Sequence, residues 1–218
     1  MTALLFDLDG TMLDTDPIHI AVFAEMLAPE GLEVDHAFYM ENVHGRLNED
    51  IFAEFLPDHP DPGGLSRAKE AAFRDLLPRP FPETPGLTAL LDEAGARGWG
   101  VGVVTNAPRA NAEAMLAAIG HRERVEALVI GEECTAGKPD PAPYRAAMEA
   151  LAVAPADAIV FEDSPAGVRS GAAAGARVVG VRSSLNDATL RDAGAHETIE
   201  DFTDEALGPI LARHRGTG

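Results

Sequence analysis

Ala3-Leu4-Leu5-Phe6-Asp7-Leu8-Asp9-Gly10-Thr11 is the stretch on which the reading of this chain turns. Four apolar residues in a row stop abruptly at an acid, the pattern of a short strand covered on both faces that runs straight into a turn. Asp7 and Asp9 stand two apart at that strand end, so the strand period of two puts both carboxylates on one side of the same edge. Carboxylates held that close repel unless a proton or a cation lies between them. The same event recurs downstream. Gly100-Val101-Gly102-Val103-Val104 ends in Thr105-Asn106, Ala158-Ile159-Val160-Phe161 in Glu162-Asp163-Ser164, and Arg177-Val178-Val179-Gly180-Val181 in Arg182-Ser183. Helical stripes fill the gaps, among them Leu87, Leu90, Leu91 and Ala94, and later Tyr144, Ala147, Met148 and Leu151. Strands alternating with amphipathic helices predict right-handed crossovers and an α/β fold with a doubly wound, Rossmann-like parallel sheet. Ligands bind such sheets beyond the carboxyl ends of the strands, where Asp7, Asp9, Thr105, Glu162 and Asp163 fall. Asp163 would add a third hard oxygen ligand, and a few carboxylates with open positions suit Mg²⁺.

Between the first strand and the rest the pattern changes. Helical periodicity runs through Ile18 to Leu27, Phe38 to Val43, Ile51 to Leu56 and Leu65 to Leu77, with no β-branched run. Asp14-Thr15-Asp16-Pro17 offers a cap followed by a first-turn proline, and Pro78-Arg79-Pro80-Phe81-Pro82-Glu83-Thr84-Pro85-Gly86 is a stiff return linker. The expected organisation is a core of residues 1–14 and 83–218 and a helical cap of residues 15–82, placed to act as a lid over the strand ends.

Composition narrows the class. With 218 residues, 46% of them hydrophobic and 24% charged, the chain is a folded globular protein. Its 17 Lys+Arg against 36 Asp+Glu give a net charge of −19, which repels nucleic acid and anionic membrane, and no basic run offsets it. Cys134 stands alone, so it forms no internal disulfide, and no Cys/His spacing matches a zinc site. The first residues lack the basic and apolar regions of a signal peptide, and no 18-residue apolar stretch follows, so a cytoplasmic location is expected. Competing motifs fail on single residues. An EF-hand loop from Asp7 needs Gly at Met12 and Glu at Ile18, and Gly131 to Gly137-Lys138 has one residue too many for a P-loop, with Pro139 where a hydroxyl should follow.

Asp7-Leu8-Asp9-Gly10-Thr11, Thr105-Asn106, Lys138-Pro139 and Glu162-Asp163 occur in the order and spacing of the four motifs of the haloacid dehalogenase (HAD) superfamily. The resemblance spans essentially the whole chain and is strongest to the branch containing phosphoglycolate phosphatase and β-phosphoglucomutase. It implies a nucleophile, Asp7; a general acid and base, Asp9; Thr105 and Lys138 facing the phosphoryl oxygens; and Mg²⁺ held by Asp7, the carbonyl of Asp9, and Asp163. It leaves open whether Glu162 is a metal ligand or stands behind one. Dehalogenases carry an aromatic residue at the second acid position and phosphonate-cleaving members an alanine, so Asp9 favours phosphate esters. His44-Gly45-Arg46-Leu47-Asn48 resembles the cap loop that enters the site, Lys69 aligns with a cap lysine, and His19 matches a histidine near the hinge. Asn106, His19, Gly45, Arg46 and Lys69 are thus the expected substrate-binding residues. Where the mutases have an arginine this chain has Asn48, which weakens the mutase alternative. The implied partner is a small phosphorylated metabolite, on a monomer or weak homodimer.

Overall fold

The computed structural model describes residues 1–44 and 46–213. Six strands, β1 (Ala3–Phe6), β2 (Gly100–Thr105), β3 (Ala127–Ile130), β4 (Ala158–Glu162), β5 (Arg177–Val181) and β6 (Glu197–Ile199), form one parallel sheet in the order β3-β2-β1-β4-β5-β6. β1 is central because all four of its side chains are apolar and fully buried, as a strand covered on both faces demands. β2 and β4 flank it in register, Phe6 lying beside Val103 on one side and Phe161 on the other. Chain direction across the sheet reverses at β1, and the crevice at such a switch point opens at the carboxyl edge. The ring of Phe6 stacks on Phe161 at 5.0 Å between centroids, and Phe202 meets both edge-on.

The chain divides into two compact units, Thr15–Pro78 and the remainder. Thr15–Pro78 holds α1 (Asp16–Leu27), α2 (His36–Asn42), α3 (Asn48–Phe55) and α4 (Pro62–Leu76) around Phe23, Leu27, Val34, Tyr39, Val43, Ile51 and Phe52. Asp35 caps α2 by accepting from the Phe38 N–H at 2.8 Å, and Asp61 caps α4 by accepting from the Gly64 N–H at 2.8 Å, with Pro62 in the first turn. The return to the sheet unit falls after Pro78, ahead of the expected 82/83. The Phe81 N–H already donates to the Ala118 carbonyl and the Thr84 N–H to that of Met12.

The sheet unit carries α5 (Leu87–Arg97), α6 (Arg109–Ala118), α7 (Ala142–Ala150), α8 (Pro165–Ala173), α9 (Asp187–Ala193) and α10 (Leu207–Arg213). Gly171 lets α8 approach the sheet, since a Cβ there would stand 3.0 Å from Val160 and 3.1 Å from Val178. Among the described residues no helix is long and apolar enough to cross a membrane.

Candidate active site

The carboxyl edge of the three middle strands gathers the residues singled out from the sequence. Asp7 follows β1 directly, and its N–H donates to the Phe161 carbonyl, which fixes where its side chain begins. Gly10 turns the chain at φ 83°, and a Cβ on it would lie 2.1 Å from Asp163 Oδ2, so only glycine lets the first loop pass that carboxylate. The Thr11 hydroxyl donates to Asp163 Oδ1 at 3.1 Å.

Lys138 reaches in from the loop before α7. Its ammonium donates to Asp7 Oδ1 at 2.5 Å, Glu162 Oε1 at 2.6 Å and the Val104 carbonyl at 2.7 Å, which uses all three of its protons. Asn106 holds the backbone of that lysine, its Nδ2 donating to the Lys138 carbonyl at 3.2 Å and its Oδ1 accepting from the Lys138 N–H at 3.1 Å. Both ends of the amide are therefore engaged with the lysine loop, a different place from the substrate-binding one expected for Asn106. Thr105 Oγ1 accepts from the Ala107 N–H at 3.0 Å, which fixes the oxygen and leaves its proton to be donated elsewhere.

Glu162 is fully buried, and both of its oxygens are occupied. Oε1 accepts from Lys138 and from the Tyr144 hydroxyl at 2.8 Å, while Oε2 accepts from the Ser164 N–H at 3.3 Å and the Ser164 hydroxyl at 3.1 Å. A carboxylate has about four acceptor positions, so in this arrangement none remains for a metal. Gly167 completes the enclosure, because a Cβ there would collide with Glu162. The open question about Glu162 is thus answered in favour of a group that stands behind Lys138. Carboxylate oxygens of Asp7, Glu162 and Asp163 nonetheless lie within 4.8 Å of one another, and with Glu162 engaged, Asp7 and Asp163 are the pair that could hold a cation.

The electrostatics show a group of acids with too little positive charge. Burial raises Asp7 to about 7, with Glu162 and Asp9 adding to the rise and Lys138 opposing it. Burial also pushes Asp163 well above the usual carboxylate range, reinforced by Asp7, Glu162 and Asp9. Burial works against the Lys138 ammonium, but Asp7 and Glu162 outweigh it and hold the group above its ordinary value. One ammonium cannot neutralise this many carboxylates, and a divalent cation with hard oxygen preferences fits the shortfall.

Residues 4–181 match the family description Haloacid dehalogenase-like hydrolase. The chain belongs to that family. Similarity to individual members of this hydrolase family spans most of the chain. An N-acetylmuramic acid 6-phosphate phosphatase from Pseudomonas aeruginosa is 34% identical over 188 residues, covering 84% of this chain and 82% of that protein. A phosphoglycolate phosphatase from Rhodospirillum rubrum is 32% identical over 223 residues, covering 96% and 90%. Among solved structures, a CbbY mutant from Rhodobacter sphaeroides in complex with xylulose-(1,5)bisphosphate superposes with a TM-score of 0.78 at 29% identity, covering 93% of this chain and 95% of that one.

The helical unit of this hydrolase has a polar cluster of its own. Lys69 is buried, with its ammonium 5.4 Å from the Phe23 ring centroid and 5.8 Å from that of Phe73, and His19 stacks on Phe73 at 4.4 Å. Glu70 Oε1 accepts from Lys69 at 3.0 Å and from Asn48 Nδ2 at 2.6 Å. Burial acts to raise Glu70, but Lys69 and Asn48 more than offset it and keep the carboxyl below its ordinary value. Arg46 lies outside this cluster. It donates to the Asn42 carbonyl and pairs with Glu54, each at 2.7 Å, so the expected contact with a substrate anion is replaced by one within the unit. Gly45 lies outside the described residues.

Tyr144 and Glu70 were not legible as site residues. Tyr144 reads as one more member of an apolar stripe; the only signal is that a buried phenol needs a polar partner. Glu70 shows no motif and is noticed only because it follows Lys69.

Proposed function

We propose that this protein is a Mg²⁺-dependent phosphatase of small phosphorylated metabolites, sugar phosphates or phosphoglycolate-like esters, acting through an aspartyl-phosphate. The observation that carries this reading is the buried Asp7 carboxylate at the edge of the central strand, held at 2.5 Å by Lys138 and beside Asp163. An Asp7 oxygen attacks phosphorus as the bond to the ester oxygen breaks, and Asp9 gives its proton to that leaving oxygen. Asp9 then takes a proton from water, which attacks the same phosphorus, frees inorganic phosphate and restores the Asp7 carboxylate. Lys138 and the Thr105 hydroxyl face the charge on the phosphoryl oxygens, and Asn106 keeps the lysine loop in place for that task. Glu162, anchored by Tyr144 and Ser164, orients the Lys138 ammonium. Asp7, Asp163 and the backbone carbonyl of Asp9 would hold the Mg²⁺, which supplies positive charge between nucleophile and phosphate.

Return of the phosphoryl group to a sugar, the mutase alternative, requires a firm grip on a second phosphate while water is excluded. Asn48 is tied to Glu70 and Arg46 to Glu54, so neither offers that grip. Transfer to water is therefore the reaction this chain supports. Rapid acid quenching after mixing with a ³²P-labelled ester should trap label on the wild-type protein and none on Asp7→Asn, with inorganic phosphate as the stoichiometric product. Absence of labelled protein together with sustained phosphate release would contradict the covalent route.

A further inference from the structure

We infer that this phosphatase selects esters whose organic part carries no second charge, and that Glu70 sets the preference. The inference deepens the proposed function and rests on it, including the helical unit's role in selecting the organic part of the ester.

A second phosphate or a carboxylate on the substrate needs a cation whose charge is not already matched. Between residues 15 and 78 there are four basic residues, Arg46, Arg67, Lys69 and Arg74, against thirteen acidic ones, a net charge of −9. Arg46 pairs with Glu54 at 2.7 Å, Arg67 with Asp61 at 3.6 Å and Lys69 with Glu70 at 3.0 Å. Arg74 is engaged as well. Of these pairs only Lys69–Glu70 is buried, with side-chain exposures of 5% and 14%, so water and salt screen it least. A substrate anion that drew Lys69 away would leave Glu70 charged, enclosed and short of its partner, a costly arrangement. Asn48 donates to the same carboxylate, and its amide adds a dipole without a charge. An ammonium, an amide and a carboxylate side by side match neutral hydroxyls, which accept from the first two and donate to the third. A phosphate or carboxylate has no proton for Glu70 and meets its charge instead.

Matched substrate pairs test this directly. Phosphate release with Mg²⁺ is measured for 2-hydroxyethyl phosphate against 2-phosphoglycolate, and for glucose 6-phosphate against glucose 1,6-bisphosphate. The neutral-bodied member of each pair should have the higher kcat/KM by about tenfold or more, mostly through KM. Glu70→Gln removes the charge but keeps an acceptor for Asn48, and it should narrow both ratios by about threefold or more. Equal rates within the pairs, or a preference for the doubly charged member, would overturn the inference while leaving the phosphatase reading intact. No release from any of the four esters or from p-nitrophenyl phosphate would overturn that reading and the inference with it. The wild-type ratios decide the matter even where Glu70→Gln folds poorly.

Discussion

At the strand edge one ammonium, Lys138, lies among Asp7, Asp9, Glu162 and Asp163, whereas in the helical unit Lys69, Arg46 and Arg67 each meet a carboxylate of their own. The first region is left short of positive charge, and its acids are pushed up for want of it; in the second, Glu70 is held down. A site built to receive a cation and a phosphate must be incomplete on its own, because groups already satisfied gain little from a ligand. A surface that reads a neutral body has no such need.

The contrast breaks most visibly at Asp7. Asp7→Asn keeps the shape but cannot attack phosphorus, so phosphate release should fall by at least about 10⁴-fold with the far-ultraviolet circular dichroism unchanged. Lys138→Ala comes next. It removes the cation that joins Asp7 to Glu162, and urea unfolding should show a loss of about 3 kcal/mol, accompanied by a fall of about 10²–10³-fold in kcat.

A pH titration of stability sharpens the comparison. Without divalent cations, Asp7 at about 7 in the fold exceeds its ordinary 3.8, so the folded protein binds more protons than the unfolded chain between those values. The stability this gives is complete below about pH 4 and is lost as pH rises through about 7. Mg²⁺ favours the ionised carboxylate, so the rise in melting temperature that it produces should grow from pH 5 to pH 8. A rise that does not change with pH would contradict an ionisation at the metal site. The smallest effect belongs to the satisfied region: Arg46→Ala breaks a half-exposed pair with Glu54 and should change stability by less than about 0.5 kcal/mol in urea unfolding.

The β1, β2, β4 and β5 runs were legible because strands buried on both faces read as unbroken apolar sequence, and the acids that end them mark the edge. β3 and β6 were not. Ala127–Ile130 is only partly covered and Glu197–Ile199 is three residues long, so neither stands out from a helix or loop. The helices of Thr15–Pro78 followed from their periodicity, but their polar contacts did not, because which acid meets which base depends on how α3 and α4 pack. Asn106 shows the same limit. Its place after Thr105 could be read, whereas the clamp on Lys138 joins two loops far apart in sequence.

The strand edge is most directly tested by the metal dependence of turnover. Wild-type protein in excess chelator should release no phosphate from p-nitrophenyl phosphate above background at pH 7, and Mg²⁺ added beyond the chelator should restore full release, with Ca²⁺ a poor substitute. Undiminished release in chelator would mean that Asp7 and Asp163 do their work without a divalent cation, and the charge-deficient edge would need another explanation.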